Sequence, residues 1–170
     1  VSASSFSATV TAQTGVTSNP HNETLKTAAS VSGTYDLSTA GGTTAMRTAN
    51  CYVVNAPGRY SLPLVYGNAI DFVKNPTDGK NTSAYTSQAS GTYVLKTFVN
   101  HLDAPITDPY IYNNANCTPN NAILVWQDEP DLVTNVALAP DGHSLTFDVG
   151  SATIKQGNAI VAVRDADNRI

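Results

Sequence analysis

The chain has 170 residues, which is enough for one domain with a substantial hydrophobic core. Asp, Glu, Lys and Arg make up only 13% of the residues, well below the usual share of about 25%, and the formal net charge is −4. Because the sequence also has no cluster of Lys or Arg, it lacks the basic surface that nucleic-acid-binding proteins use, and we expect no nucleic-acid partner.

No segment has the pattern of a membrane span or of an export signal. No apolar run approaches the roughly 20 residues of a transmembrane helix. Residues 1–10 lack the basic start and apolar centre of a signal peptide. If the protein is exported, the sequence is therefore that of its mature or processed form.

Residues 1–44 are rich in Ser, Thr, Ala and Gly and carry weak structural signals. Apolar and polar residues alternate over residues 6–10, and Gly41-Gly42 interrupts the chain before Thr43. This pattern predicts one or two weak or edge strands followed by a loop. We assign a β-domain to residues 45–170, and residues 1–44 either precede it or belong to one continuous domain.

The middle of the chain predicts a hairpin and a long loop. Residues 51–54 are aromatic and β-branched, residues 56–59 have turn chemistry, and residues 60–66 resume an apolar run. Residues 74–91 contain most turn-forming residue types and predict a surface loop. Residues 92–102 have helical spacing of apolar positions but strand-like composition, so both structures remain open there.

The last third of the chain predicts strands over residues 122–127, 134–138, 145–149 and 160–163. Leu145, Phe147 and Val149 alternate with polar residues, as in a sheet with one buried face. Residues 140–142 form a tight turn. Residues 165–168 are turn residues that open a further hairpin, whose return strand is either missing or supplied by another chain. The sequence thus predicts an all-β fold.

Cys51 and Cys117 are the only cysteines, and each follows an Ala-Asn pair. They have no partners at zinc-ligand spacing. In a chain with few charges and many Ser, Thr and Asn residues, they indicate a disulfide formed in an oxidising compartment. Two unrelated buried thiols are the alternative, because the sequence does not show how close their Cα atoms lie.

The sequence has no catalytic constellation, metal site or cofactor site that we can identify, and we expect a protein that is not an enzyme. It has no G-x-S-x-G motif, and its three histidines lie in unrelated contexts. The acidic residues after Trp126 are separated by Pro130, which favours a solvated turn after a strand with a core Trp over a glycosidase pair. Residues 165–168 lack the remainder of a calcium-binding loop.

Candidate binding residues are aromatic. Tyr110 and Tyr112 lie close together after Pro109, and Trp126 is the single tryptophan. Such rings can stack on sugars or contact a protein partner. Tyrosines are also ordinary residues of β-sheets, so this signal alone does not decide between binding and packing.

Three stretches resemble a known family. The first is Thr-Ala-Asn-Cys-Tyr-Val-Val over residues 48–54, together with the run over residues 63–68. The second is Leu-Val-Trp-Gln-Asp over residues 124–128, and the third is Gln-Gly-Asn-Ala-Ile-Val-Ala-Val-Arg-Asp-Ala over residues 156–166. Together they resemble the fimbrillin-like surface proteins of the Bacteroidetes, in particular the carboxy-terminal region of tip or adhesin-type pilus subunits. The resemblance covers roughly residues 45–170. Family members continue with a Trp-rich strand after the last stretch, and this sequence ends at Ile170.

The resemblance implies an antiparallel β-sandwich of immunoglobulin-like or transthyretin-like type, here without its last strand, on the outer cell surface. It implies assembly into a fimbria or pilus with other subunits or copies of the chain by strand addition, and a glycan or protein receptor for an adhesive subunit. The alternative hypothesis is a non-catalytic carbohydrate-binding module of a surface glycan-handling system, with Trp126, Tyr110 and Tyr112 as stacking residues.

Overall fold

The computed structural model describes residues 18–170. This part of the chain is mostly β, with one short helix, two single-turn 3-10 helices and two sheets. The elements are α1 (Pro20–Thr27), β1 (Thr34–Asp36), β2 (Gly58–Pro63), the 3-10 turns Thr82–Ala84 and Ile111–Asn113, β3 (Asn121–Gln127), β4 (Thr134–Leu138), β5 (Ser144–Val149) and β6 (Ala159–Arg164).

The larger sheet has the strand order β1-β2-β5-β4. Strands β2 and β5 form its centre and pair antiparallel, with Tyr60 opposite Phe147 and Leu62 opposite Leu145. Strand β4 pairs antiparallel with β5, whereas β1 pairs parallel with β2. The sheets are thus mostly antiparallel, as expected, and β1 is the exception, because the long connection over residues 37–57 lets the chain return in the same direction.

The second sheet consists of β3 and β6, which pair antiparallel with a register shift between Leu124 and Trp126. A two-stranded sheet is at best marginally stable in water by itself. Its inner face packs against the main core through Ala122, Val161 and Val163. The position of strands β3 and β6 therefore depends on this packing against the main core.

The main hydrophobic core lies on the inner face of β2 and β5. Leu145, Phe147 and Val149 are all buried, which confirms the alternation read in the sequence. The ring of Tyr60 stacks on Phe147 at 5.6 Å between centroids. Leu25 of α1 reaches the same core. A separate, smaller cluster contains Ala69, Tyr85 and Ile106 and lies under the long loops.

Helix α1 corrects the prediction for the N-terminal part of the chain. Strands or loop were expected before residue 45, but residues 20–27 form a helix, and the only strand found between residues 18 and 44 is β1. Asn19 caps the helix by accepting the backbone N–H of His21, and Pro20 occupies the first turn, where a proline is tolerated. The strand predicted near residues 6–10 lies outside the described residues.

The strands predicted for the last third of the chain are confirmed, whereas the structure predicted for the middle of the chain is partly wrong. Strands β3, β4, β5 and β6 match the four predicted strands within one residue at each end. The hairpin expected from residues 51–54 does not form, because residues 51–57 are irregular and only β2 is a strand. Residues 92–102 are neither helix nor regular strand and make only isolated bridges at Thr97 and Val99.

The predicted all-β fold is confirmed in part: the described residues are mostly β, with open sheets of four and two strands, and they also include the short helix α1. In the described residues, no helix has the length and apolar character that crossing a bilayer requires.

Candidate functional site: an open groove beside strand β6

An apolar groove of about 1000 Å³ runs between the larger sheet and β6. Leu145, Phe147 and Val149 of β5 line one side, and Val161 and Val163 of β6 line another. The groove reaches the surface, because the exposed Cys51 and Ile170 also line it. Buried side chains of the core thus form the walls of a space that the described chain leaves open.

Strand β6 borders this groove with an unpaired edge. One edge of β6 is hydrogen-bonded to β3, and within residues 18–170 no strand pairs with its other edge. Successive side chains of a strand point to opposite faces, so Val161 and Val163 face the core while Ala162 faces away from it. An unpaired edge with an apolar inner face is a template for a further strand.

A turn reverses the chain at the end of β6. The backbone N–H of Asp165 donates to the carbonyl oxygen of Arg169 at 3.0 Å, and Asn168 takes a positive φ of 63°. The backbone N–H groups of Arg169 and Asp167 donate to the Asp165 carboxylate, and the first of these bonds contributes most to lowering its pKa. Arg169 and Ile170 are thereby directed back along the groove, which they line.

The start of β6 is attached to the end of β3 by a carboxylate. Asp128 accepts the backbone N–H of Asn158 at 2.7 Å and the Asn158 side-chain amide at 2.9 Å. These two bonds lower the pKa of Asp128. Glu129 pairs instead with Lys155, at 2.5 Å. The two acidic residues therefore have separate structural partners and do not form a pair around a common substrate position.

Trp126 lies on the outer face of the two-stranded sheet, away from the groove. Its side chain is 51% exposed, and Ile160, directly opposite on β6, is 53% exposed. The expectation of a core Trp at this position is wrong, because the register shift before Trp126 turns its side chain to the exposed face of the sheet. A half-exposed indole is available for stacking.

Tyr110 and Tyr112 contact each other, with ring centroids 5.6 Å apart. Tyr112 also stacks on His143 at 3.9 Å, and burial raises the pKa of its hydroxyl. Both tyrosines are half-buried. None of the close ring pairs among residues 18–170 includes Trp126, so the structure does not unite the three aromatic candidates in one row.

Cys51 and Cys117 are free thiols, and both line the groove. The Tyr66 hydroxyl donates to Cys117 Sγ at 3.7 Å, and the Asn100 side-chain amide contacts the same sulfur at 3.7 Å. Burial, followed by this contact with Cys117, strongly raises the pKa of Tyr66. The predicted disulfide is thus not formed in this structure, although its two cysteines share one cavity.

Sequence reasoning missed the groove itself and an exposed apolar loop. The loop comprises residues 92–102, where Tyr93 is fully exposed and Leu95, Phe98, Val99 and Leu102 are also exposed. Its composition was noted in the sequence, but its exposure depends on the tertiary structure. The groove could not be found from the sequence, because its walls come from segments far apart in the chain.

The groove and the open edge of β6 together are suited to binding an extended apolar segment.

Within residues 18–170, no group of three or more His, Cys, Asp or Glu side chains could hold a metal ion. No family model, curated protein or solved structure matches the chain.

Proposed function

We propose that the chain is a structural or adhesive subunit of a bacterial cell-surface fibre, which assembles by β-strand complementation. The observation that carries this proposal is the unpaired edge of β6 beside an open apolar groove. The bacterial surface and the fibre are taken from the family resemblance. A β-sandwich completed by the incoming strand is the fold that we propose for the assembled subunit.

A strand added to β6 would pair with its open edge and would also fill the apolar groove. Its backbone would bond to the open edge, and every second side chain would enter the groove between Val161, Val163 and the β5 core. Main-chain bonds would supply much of the affinity, and the groove would select apolar residues at alternate positions. The partners would be other subunits or further copies of this chain.

An antiparallel arrangement of the added strand would repeat the pairing already present between β3 and β6. The Asp165 to Arg169 hydrogen bond directs the last residues of this chain back beside β6. An incoming strand would therefore lie beside Arg169 and Ile170 or displace them, since both line the groove. Antiparallel pairing needs no long crossover connection.

The loop of residues 92–102 supports an adhesive role. Several large apolar side chains that are grouped on a surface favour contact with a protein or glycan receptor. Tyr93, with its whole side chain exposed, combines an apolar ring with a hydroxyl group. We propose this loop as the contact surface of an adhesive subunit at the extracellular side.

The test is the assembly state of the purified protein. Assembly by strand exchange gives a ladder of species on a denaturing gel that persists in detergent and collapses to one band on boiling. Size-exclusion chromatography of the same sample gives masses above 17.8 kDa. A strict monomer at all concentrations, with the β6 edge protected from hydrogen exchange, would contradict the proposal.

A pair of variants tests the groove directly. Val163→Lys places a charge among the apolar groove side chains and should abolish the ladder. Val125→Lys, on the neighbouring strand β3, changes an exposed side chain that does not line the groove and should leave the ladder unchanged. Thermal unfolding of both variants shows whether Val163→Lys remains folded, and Val163→Thr provides a milder change at the same position.

A carbohydrate-binding module is the second candidate, and the exposure of Trp126 favours it. The indole could cover the apolar face of a sugar ring, with Ile160 beside it on β6. Tyr110 and Tyr112 are half-buried, and both contact other rings. The carbohydrate-binding hypothesis therefore depends on Trp126 alone among the three aromatic candidates.

The single tryptophan makes the second candidate directly measurable. Binding of a glycan to Trp126 should change its fluorescence and reduce quenching by a soluble quencher. Trp126→Ala should abolish binding on a glycan array, whereas Tyr110→Phe should not. Unchanged fluorescence across the glycans of such an array would remove this candidate and leave the fibre subunit.

A further inference from the structure

We infer that the strand received by the groove is the segment of residues 6–12 of a second copy of this chain. This inference rests on the proposed assembly by strand complementation and names the segment that takes part in it. Every second residue of the segment is apolar, namely Phe6, Ala8, Val10 and Ala12. The residues between them are Ser or Thr. This alternation is the pattern of a strand with one buried face.

The composition of the segment suits an apolar groove. Residues 1–17 contain no Asp, Glu, Lys or Arg, so no charge would be desolvated on entry. They also contain no Pro, so each backbone N–H is available to pair with the open edge of β6. The groove presents the apolar side chains of Val161 and Val163 and the buried face of β5. The apolar face of the segment would enter the groove, and its hydroxyl face would point outward.

The length of the segment and its attachment to the rest of the chain also fit. The segment has seven residues, and β6 has six (Ala159–Arg164). The chain is held in its own domain from residue 19 onward, because the Asn19 side chain donates to Gln156 at 2.5 Å and Leu25 is buried in the core. Residues 13–18 can therefore bridge up to about 20 Å between the segment and the domain that supplies it.

The exposed apolar loop of residues 92–102 is less suitable as the entering strand. Thr97 and Val99 of this loop already form bridges to Thr86 and Pro105 within their own domain. Lys96 lies in the middle of the loop and would bring a charge into the apolar groove. The observations therefore favour residues 6–12 over this loop.

The supplying segment and the receiving groove are different parts of the chain. Copies that join through two unlike surfaces are arranged head to tail, and such contacts continue into an open filament unless they close into a ring. Each copy would fill the groove of one neighbour and receive the segment of the next. The same pairing that fills one groove therefore produces a fibre.

A pair of substitutions in the segment tests its role. Val10→Lys places a charge on the apolar face and should abolish the detergent-resistant ladder on the unboiled gel. Thr9→Lys adds the same charge to the hydroxyl face and should leave the ladder in place. Both full-length variants should unfold at the same temperature as the wild-type monomer, because the monomer does not use the segment to fill its own groove.

Mixing two defective variants tests the direction of the contact. Val10→Lys cannot supply a segment but keeps its groove, whereas Val163→Lys keeps its segment but has a charged groove. Each alone should remain monomeric. An equimolar mixture should give a species of two chains and no longer ladder, because only one of the four segment and groove combinations is intact.

A synthetic peptide of residues 5–13 gives a readout that does not depend on the folding of Val163→Lys. Excess peptide, added while wild-type monomers assemble, should cap the grooves and abolish the ladder. The same peptide with Lys at position 10 should not.

Three results would overturn the inference. A wild-type ladder that persists in Val10→Lys would leave strand complementation standing and assign the strand to another segment. A change in hydrophobic-dye binding by Val10→Lys at concentrations where the wild type is monomeric would show that the segment fills the groove of its own chain. A wild type that forms no ladder would overturn the proposed assembly together with this inference.

Discussion

The stacked rings of Tyr60 and Phe147 lie at the centre of the core, where the removal of buried atoms strongly lowers the free energy of unfolding. Phe147 is 5% exposed, and the Tyr60 hydroxyl donates to the carbonyl oxygen of Ala56 at 2.6 Å. Removal of a buried aromatic ring loses both its transfer free energy and the packing of its neighbours. Phe147 also lines the groove, so one wall of the groove depends on its side chain.

Phe147→Ala should therefore lower the free energy of unfolding by about 3–5 kcal/mol. Urea unfolding followed by circular dichroism measures this change. Val53→Ala is the control, since its side chain is 88% exposed, and its effect should stay within about 0.5 kcal/mol. Equal effects of the two substitutions would mean that β5 does not form the core described here.

Asp128 predicts a pH dependence of stability. Its pKa is lowered in the folded protein by the bonds from Asn158, relative to the ordinary value of 3.8. A group with a lowered folded pKa stabilises the fold above its unfolded pKa, and this contribution is lost as the pH falls through the folded pKa. Wild-type protein should therefore lose stability below about pH 4.

The Asp128→Asn variant isolates this contribution. The amide cannot titrate, so the decline in unfolding free energy between neutral and acidic pH should become smaller than in the wild type. Urea unfolding at several pH values measures the difference. Asp141→Asn is the comparison, because this carboxylate accepts a local turn N–H from His143 and does not connect two strands. An identical pH profile for wild type and Asp128→Asn would contradict the prediction.

At the scale of elements, a bulge shapes strand β4. The register of β4 against β5 shifts between Thr134 and Ala137, and Asn135 takes a positive φ of 51° there. The Asn135 amide donates to Asp148 at 2.8 Å, which holds the bulge against β5. Asparagine tolerates this conformation better than most residues with a Cβ.

Asn135→Val should lower the free energy of unfolding by about 1–3 kcal/mol, because a β-branched residue is strained at positive φ. Asn135→Gly keeps the conformation accessible and loses only the side-chain bond to Asp148. Its effect should be smaller, and the comparison by urea unfolding separates the two contributions. A larger loss for the glycine variant would show that the side-chain bond matters more than the backbone conformation.

At the scale of the whole molecule, the two sheets enclose an apolar space that is open to solvent. A protein with such an exposed apolar groove should bind a hydrophobic dye in its native state. Val163→Lys should reduce the dye fluorescence because it places a charge in the groove, whereas Val125→Lys lies outside the groove and should not. Fluorescence titration at low protein concentration measures both. Absence of native-state dye binding would show that the groove is filled.

The C-terminal strands could be predicted because their signal is local. Apolar and polar residues alternate over β5, and β3 and β6 are rich in β-branched residues between turn residues. Helix α1 was missed because Asn19-Pro20 and a short polar sequence give little helical periodicity, and its position depends on one buried residue, Leu25. Residues 51–54 have strand composition, but they pair with no strand of residues 18–170.

By itself, the sequence determined the mostly-β class, the late strands, the turn after β6 and the low charge of the surface, because these follow from local periodicity and composition. Only the tertiary structure decided that Trp126 is exposed, that the cysteines share a cavity and that β6 has an open edge. These properties depend on which distant segments pack together, and the burial of any residue is a property of that packing.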